Sequence, residues 1–344
     1  MRLTRPSPSS GWGSRRRSRS SVPSRTFRVY LRRWRRNALR PGSPLAFAFI
    51  VAALTAVVGC GPDDKQPQFT GEAAWRYLNV QCDFGPRPPG SAAHEKTVLF
   101  ITGHLKERGA EVTLQRFKRG DPYADRTMDF TNIVGSFAPD RKKRILLAAH
   151  YDTRPWADQE TVDSLRTLPI VGANDGASGV AVLLEIADML SVEMPNGLGV
   201  DLVFFDGEDY GKEGDLDHYL IGSRHFAANL GGYRPECAVL LDMVGAADAR
   251  ILQEGNSMGA APELVDEIFR RAETLGLDVF VARKGDSIYD DHIPLLMAGI
   301  PAVDLIGWPY AHWHTLQDTP DRCSKETLRQ VGVLVADVLY NFSF

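Results

Sequence analysis

Glu208 and Asp209 stand side by side just behind the apolar run Asp201-Leu-Val-Phe-Phe205. Two carboxylates at the end of a buried strand repel each other and lose hydration, so the pair needs a cation or a trapped proton. With a divalent cation, one acid can ligate while its neighbour stays free as a base of tuned pKa. His150 and Asp152 follow a second apolar run, Ile145 to Ala149. An imidazole there could bind metal through one nitrogen while Asp152 accepts the N–H of the other. Asp175 lies in the small-residue turn Gly172-Ala-Asn-Asp-Gly-Ala-Ser-Gly179, Asp242 ends Ala238–Leu241, and Asp290-Asp291-His292 precedes an apolar segment. His312-Trp313-His314-Thr315 supplies a late imidazole. This mixed nitrogen and oxygen donor set suits Zn(II).

Taken singly, each group has a plainer explanation. Asp175 could cap the helix that follows, although Asn174 and Ser178 are also available for that task. Asp242 and Asp290 read equally as strand-end or cap acids, His150 and Asp152 as a satisfied polar pair, and residues 206–209 as a solvated acidic loop. Position argues for convergence. The strongest strand candidates each lead into one of these groups, and open α/β sheets place their crevice at the carboxyl ends of the strands.

The positioning elements follow from the alternation of short apolar runs with helical spacing. Ile145–Ala149 precedes Gly176–Leu190, Val200–Phe205 precedes Gly222–Asn229, and Ala302–Ile306 precedes Lys325–Tyr340. This pattern predicts an α/β fold, one domain over residues 69–344, with a mostly parallel, mixed central sheet covered by helices on both faces. Glu111–Phe117 and Met128–Phe137 read as strands pairing at one edge, and Pro86, Pro88, Pro89 and Gly90 break the chain between two early helices.

Charge divides the chain. Residues 1–60 hold 13 Arg and no Lys, Asp or Glu, whereas the remainder carries 27 basic against 43 acidic residues, a net charge of −16. So acidic a body is unsuited to nucleic acid. Leu45–Val58 is apolar but falls short of the roughly 20 residues of a membrane span. With its Arg-rich flank and Gly59-Cys60 behind it, the segment resembles a bacterial lipoprotein signal, with Cys60 the lipidated residue; a mitochondrial-type presequence or a plain signal anchor would share these features. Residues 61–68 read as a tether. The expected location is exported, lipid-anchored to a bacterial membrane on its periplasmic or extracellular face. Cys237 reads as buried, and export would permit Cys82 and Cys323 to bridge.

His150-Tyr-Asp152, the Asp175 turn, Phe204-Phe-Asp-Gly-Glu-Asp209, Leu240-Leu-Asp242, Asp290-Asp-His-Ile-Pro294 and Trp313-His-Thr315 resemble, in order and spacing, the glutaminyl-peptide cyclotransferases of the zinc aminopeptidase superfamily. The resemblance implies a zinc held by Asp175, Asp209 and His314, with Glu208 as acid/base. It further implies a hydrogen-bonded acidic pair, Asp242 and Asp290, and Trp313 lining the pocket for the substrate side chain. Peptides or proteins with N-terminal glutamine would be the substrates, and pyroglutamate and ammonia the products. The sequence departs from many animal members at Asp209, where they carry Glu, and their second tryptophan is not evident in residues 210–218. The nearest rival is a two-zinc aminopeptidase, which would use His150, Asp175 and Asp242 for its second ion. Asp290 and Trp313 favour the cyclase.

Overall fold

Along the strand Arg144–His150 the side chains alternate between two cores. Ile145, Leu147 and Ala149 enter the larger one, and Leu146 and Ala148 the smaller. Every residue of this strand is buried, which explains a continuous apolar run in place of polar alternation. The computed structural model describes residues 67–342. The Arg-rich segment, the apolar run and Cys60 lie outside the described residues.

The chain opens with α1 (Glu72–Asp83) and α2 (Ala92–Glu107), followed by β1 (Glu111–Gly120), β2 (Thr127–Phe137) and β3 (Arg144–His150). Next come α3 (Ala177–Val192), β4 (Gly199–Phe205), α4 (Ile221–Ala228) and β5 (Cys237–Asp242). A smaller excursion holds β6 (Ile251–Gln253), α5 (Gly255–Ala260), α6 (Pro262–Thr274) and β7 (Phe280–Lys284). The chain then returns through α7 (His292–Met297), β8 (Ala302–Ile306) and α8 (Lys325–Asn341).

Six strands form one sheet in the order β1-β2-β4-β3-β5-β8, and β6 pairs with β7 separately. β1 and β2 are antiparallel, as is β2 to β4, whereas β4, β3, β5 and β8 run parallel. The expected mostly parallel, mixed sheet is therefore the observed one, and its paired edge strands prove antiparallel. Leu78, Val182, Ile268 and Val335 from α1, α3, α6 and α8 fill the larger core, while Phe226 of α4 and Leu295 of α7 fill the opposite face. α3 lies so close to the sheet that a β-carbon on Gly179 would stand 2.2 Å from the Leu241 carbonyl oxygen. Among the described residues no helix is long and apolar enough to cross a membrane.

Cys82, Cys237 and Cys323 carry free thiols, so the bridge that export would permit is not formed. Cys237 is buried, as expected, and burial pushes its thiol up to about 12.

Candidate metal centre and substrate pocket

Because β3, β4, β5 and β8 are parallel, their carboxyl ends share one edge of the sheet. β3 ends in His150, β4 stops one residue before Asp206-Gly-Glu-Asp209, β5 ends in Asp242, and β8 leads into the loop holding Trp313 and His314. The parallel register thus gathers residues far apart in sequence.

Asp175, Asp209 and His314 are all buried, and one ligand atom from each lies within 4.8 Å of the others. His314 Nε2 is 3.2 Å from Asp209 Oδ1 and 3.7 Å from Asp175 Oδ2. Asp175 Oδ2 and Asp209 Oδ2 have no hydrogen-bond partner among the described residues. Buried carboxylate oxygens left unpaired opposite an imidazole are costly without a cation, so the donor set fits zinc. His150, Asp175 and Asp242 form a second such group, with His150 Nε2 3.2 Å from Asp175 Oδ1 and 3.1 Å from Asp242 Oδ1. A third, Asp290, His292 and Asp304, lies beside it.

The loop after β3 orients these groups. Arg154, fully buried, donates to Asp209 Oδ1 at 3.0 Å and to the Gly211 carbonyl at 2.8 Å, and also pairs with Asp158. Asp158 Oδ1 lies 3.4 Å from His314 Nδ1. Gln159 N–H donates to the His314 carbonyl, and Glu160 accepts the Leu316 N–H. These contacts hold His314 at a φ of 53°, a left-handed conformation uncommon outside glycine. Burial works against a charged His314, but Asp209 and Asp158 outweigh it and push the imidazole up to about 9. Burial opposes the Asp209 charge in turn, and His314 and Arg154 hold that carboxyl below its ordinary value.

Two sequence expectations are corrected and one open alternative, Asp175 as a helix cap, is closed. Asp152 does not take the second ring N–H of His150, whose Nδ1 is 3.7 Å away. Its carboxylate instead accepts the backbone N–H groups of Glu208 at 3.1 Å and Asp209 at 3.3 Å. Asp175 does not cap α3: the N-cap is Gly176, and no side chain caps there. Asp318 accepts the N–H of Asn174 and of Asp175, freeing the Asp175 carboxylate to face the imidazoles. No hydrogen bond links Asp242 to Asp290. Asp242 bonds His150, and Asp290 Oδ1 accepts the Asp291 N–H.

Asp242 and Asp290 nevertheless lie close enough to interact. Burial, then the charge of Asp242, drive the Asp290 carboxyl well above the usual range. Glu208 is also raised well above it, first by desolvation and then by Asp209. Its carboxyl accepts no hydrogen bond from the described residues, its backbone is fixed by Asp152, and it lines a cavity of about 310 Å³ beside Asp175, Asp209 and His314. Trp313 stacks on His314 with ring centroids 3.7 Å apart, and Trp308 stands edge-on to it at 5.1 Å. Leu216, Tyr219 and Ile288 complete the apolar walls.

Sequence reasoning missed Arg154, Asp158, Tyr219 and Trp308, and it noted Asp318 after His314 without a role. For the first two a signal existed: an Arg and an Asp four residues apart, directly after the His150-Tyr-Asp152 strand end.

Acidic and imidazole ligands gathered at the carboxyl edge of a mixed sheet define a metal-dependent α/β enzyme. Peptidase family M28 matches residues 132–339, and the chain belongs to that family. It is similar to the Bacteroides thetaiotaomicron glutaminyl cyclase, whose structure was solved with N-acetylhistamine bound. The two share 38% identity and a TM-score of 0.78, over 81% of this chain and 100% of that one. A Zn-dependent exopeptidase from Parabacteroides distasonis is similar at 35% identity and a TM-score of 0.78, over 81% of this chain and 100% of that one. The glutaminyl-peptide cyclotransferase of Bos taurus is 27% identical over 285 residues, 73% of this chain and 76% of that protein.

Proposed function

We propose that this protein is a zinc-dependent glutaminyl-peptide cyclotransferase, converting N-terminal glutamine of peptides or proteins to pyroglutamate with release of ammonia. The observation that carries the reading is the juxtaposition of the Asp175, Asp209 and His314 donors with the unbonded Glu208 carboxyl in one tryptophan-walled pocket. The similar glutaminyl cyclases support it.

Asp175, Asp209 and His314 would hold one zinc, which when bound supplies Lewis acidity to polarise the side-chain amide of the substrate glutamine. Trp313 walls the space for that side chain. The substrate α-amine attacks the amide carbon, forming the ring C–N bond as the bond to the amide nitrogen breaks. Glu208, its basicity raised by burial and by Asp209, accepts the amine proton and returns it to the departing ammonia. Asp242 and Asp290 line the same cavity as Glu208, and His150 lies between Asp242 and Asp175. Since the nucleophile is tethered to its target, effective concentration is high and no activated water is required.

A second reading, a two-zinc aminopeptidase, is favoured by the convergence of His150, Asp175 and Asp242. Peptides beginning with Gln and with Leu, followed by mass, separate the two. The cyclase removes ammonia from the first and leaves the second intact, whereas release of leucine would support the peptidase.

From Leu45–Val58 and the following Gly59-Cys60 we further infer export, with a lipid on Cys60 anchoring the body to a bacterial membrane. Labelling with a fatty-acid analogue, lost in Cys60→Ala, tests this.

A further inference from the structure

We infer that a basic subsite beside the pocket selects peptides carrying Asp or Glu shortly after the N-terminal glutamine; the inference rests on the cyclase reading. A second cavity, of about 250 Å³, adjoins the first and shares Ile288, Ile306 and Trp308 with it. Arg283 and Lys284, at the end of β7, line it. Both are exposed, and neither joins an ion pair among the described residues. They are held on a fixed frame, because Gly285 N–H donates to the Gln253 carbonyl at 2.7 Å and Gly255 N–H to the Asp286 carbonyl at 2.8 Å.

Two acids line the same cavity. Glu254 is buried, and its oxygens are occupied by the N–H groups of Asn256, Ser257 and Ile288 and by the Ser257 hydroxyl. Of the two acids only Asp286 is exposed, so among the described residues lining this cavity two exposed cations face one exposed carboxylate. In a body of net charge −16 such a spot is a local exception, and it adjoins the pocket across the shared Ile288, Ile306 and Trp308.

The reach is short. Ser287 lines the first pocket and Lys284 the second, three residues apart, so at most about 11 Å of backbone separates them. An extended peptide covers that span in about three residues. The apolar wall of Trp308 between the cavities gives no such selectivity by itself, since it carries no charge.

The test uses the full chain supplied with zinc and peptides in which Glu, Ala or Lys is walked through the three positions after Gln. At low salt, one position should show a Glu-to-Ala ratio in kcat/KM of about three- to tenfold, with Lys below Ala. In the double variant Arg283→Ala, Lys284→Ala the ratio should fall to about one, and in Arg283→Glu the Lys peptide should overtake the Glu peptide. Salt should erase the preference, as it screens exposed charges. Equal rates for Glu, Ala and Lys at every position, or a preference that survives in the double variant, would overturn the subsite while leaving cyclisation intact. Turnover of none of the peptides would overturn both.

Discussion

The carboxylate of Asp152 receives the backbone N–H of Glu208 at 3.1 Å, so an acid at the end of β3 sets the position of the proton-transfer group behind β4. The adjacent Asp209 N–H reaches the same carboxylate, and one side chain thereby orients both the base and a metal-binding residue. In Asp152→Ala two buried N–H groups lose a charged acceptor. Charge-assisted hydrogen bonds contribute about 1.5–3 kcal/mol each, so kcat should fall by at least tenfold. Asp152→Asn should recover part of the loss, since its amide oxygen still accepts one bond. Steady-state kinetics with a Gln peptide checks both, and unchanged kcat in the alanine variant would remove this role from Asp152.

Glu208→Gln separates proton transfer from metal binding. Gln keeps the shape but cannot accept the amine proton, so turnover should vanish within assay limits, while zinc content by elemental analysis should match the parent protein. Loss of zinc from this variant would mean that Glu208 and Asp209 exchange roles.

Asp158 acts on His314 rather than on substrate. Its carboxylate lies 3.4 Å from Nδ1, where its charge steadies the ring for metal binding through Nε2. Asp158→Ala should weaken zinc affinity by about ten- to a hundredfold, measured by competition with a chelator, and excess zinc should restore much of the activity. Unaltered affinity would show that the Gln159 and Glu160 contacts suffice to hold the ring.

Glu254 contributes to acid stability. Burial opposes its charge, but His292 and three backbone N–H groups outweigh burial and hold the carboxyl at about 2. That is below the value of about 4.3 for an unfolded chain, so its ionisation stabilises the fold fully above about pH 5 and progressively less as pH falls toward 2. Glu254→Gln should lower Tm at neutral pH and flatten its decline below about pH 5. Parallel Tm curves for the two proteins would contradict the linkage.

How much could be read in advance depended on the kind of element. β3, β4, β5 and β8 were legible because strands buried on both faces must be apolar throughout, and the groups ending them were legible because a parallel sheet brings carboxyl ends together. β1 and β2 were legible as an edge pair for a different reason: their residues alternate between exposed and more buried positions, as in strands with one face toward solvent. β6 and β7 were not: one has three residues and the other is mostly exposed, so neither leaves a burial pattern. Arg154 and Asp158 escaped because an irregular loop carries no periodicity, and a charged pair there resembles a solvated turn. Asp175 shows the limit of local rules. By sequence it suits a helix cap, yet Asp318, some 140 residues away, takes the backbone N–H groups and frees its carboxylate for another use.

Anomalous scattering at the zinc edge from crystals of the zinc-loaded protein tests the central claim most directly. The expected map has a single strong peak within bonding distance of Asp175, Asp209 and His314. A protein that cyclises Gln peptides with no peak among those three residues, or one carrying a second ion at His150, Asp175 and Asp242 together with leucine release, would contradict it.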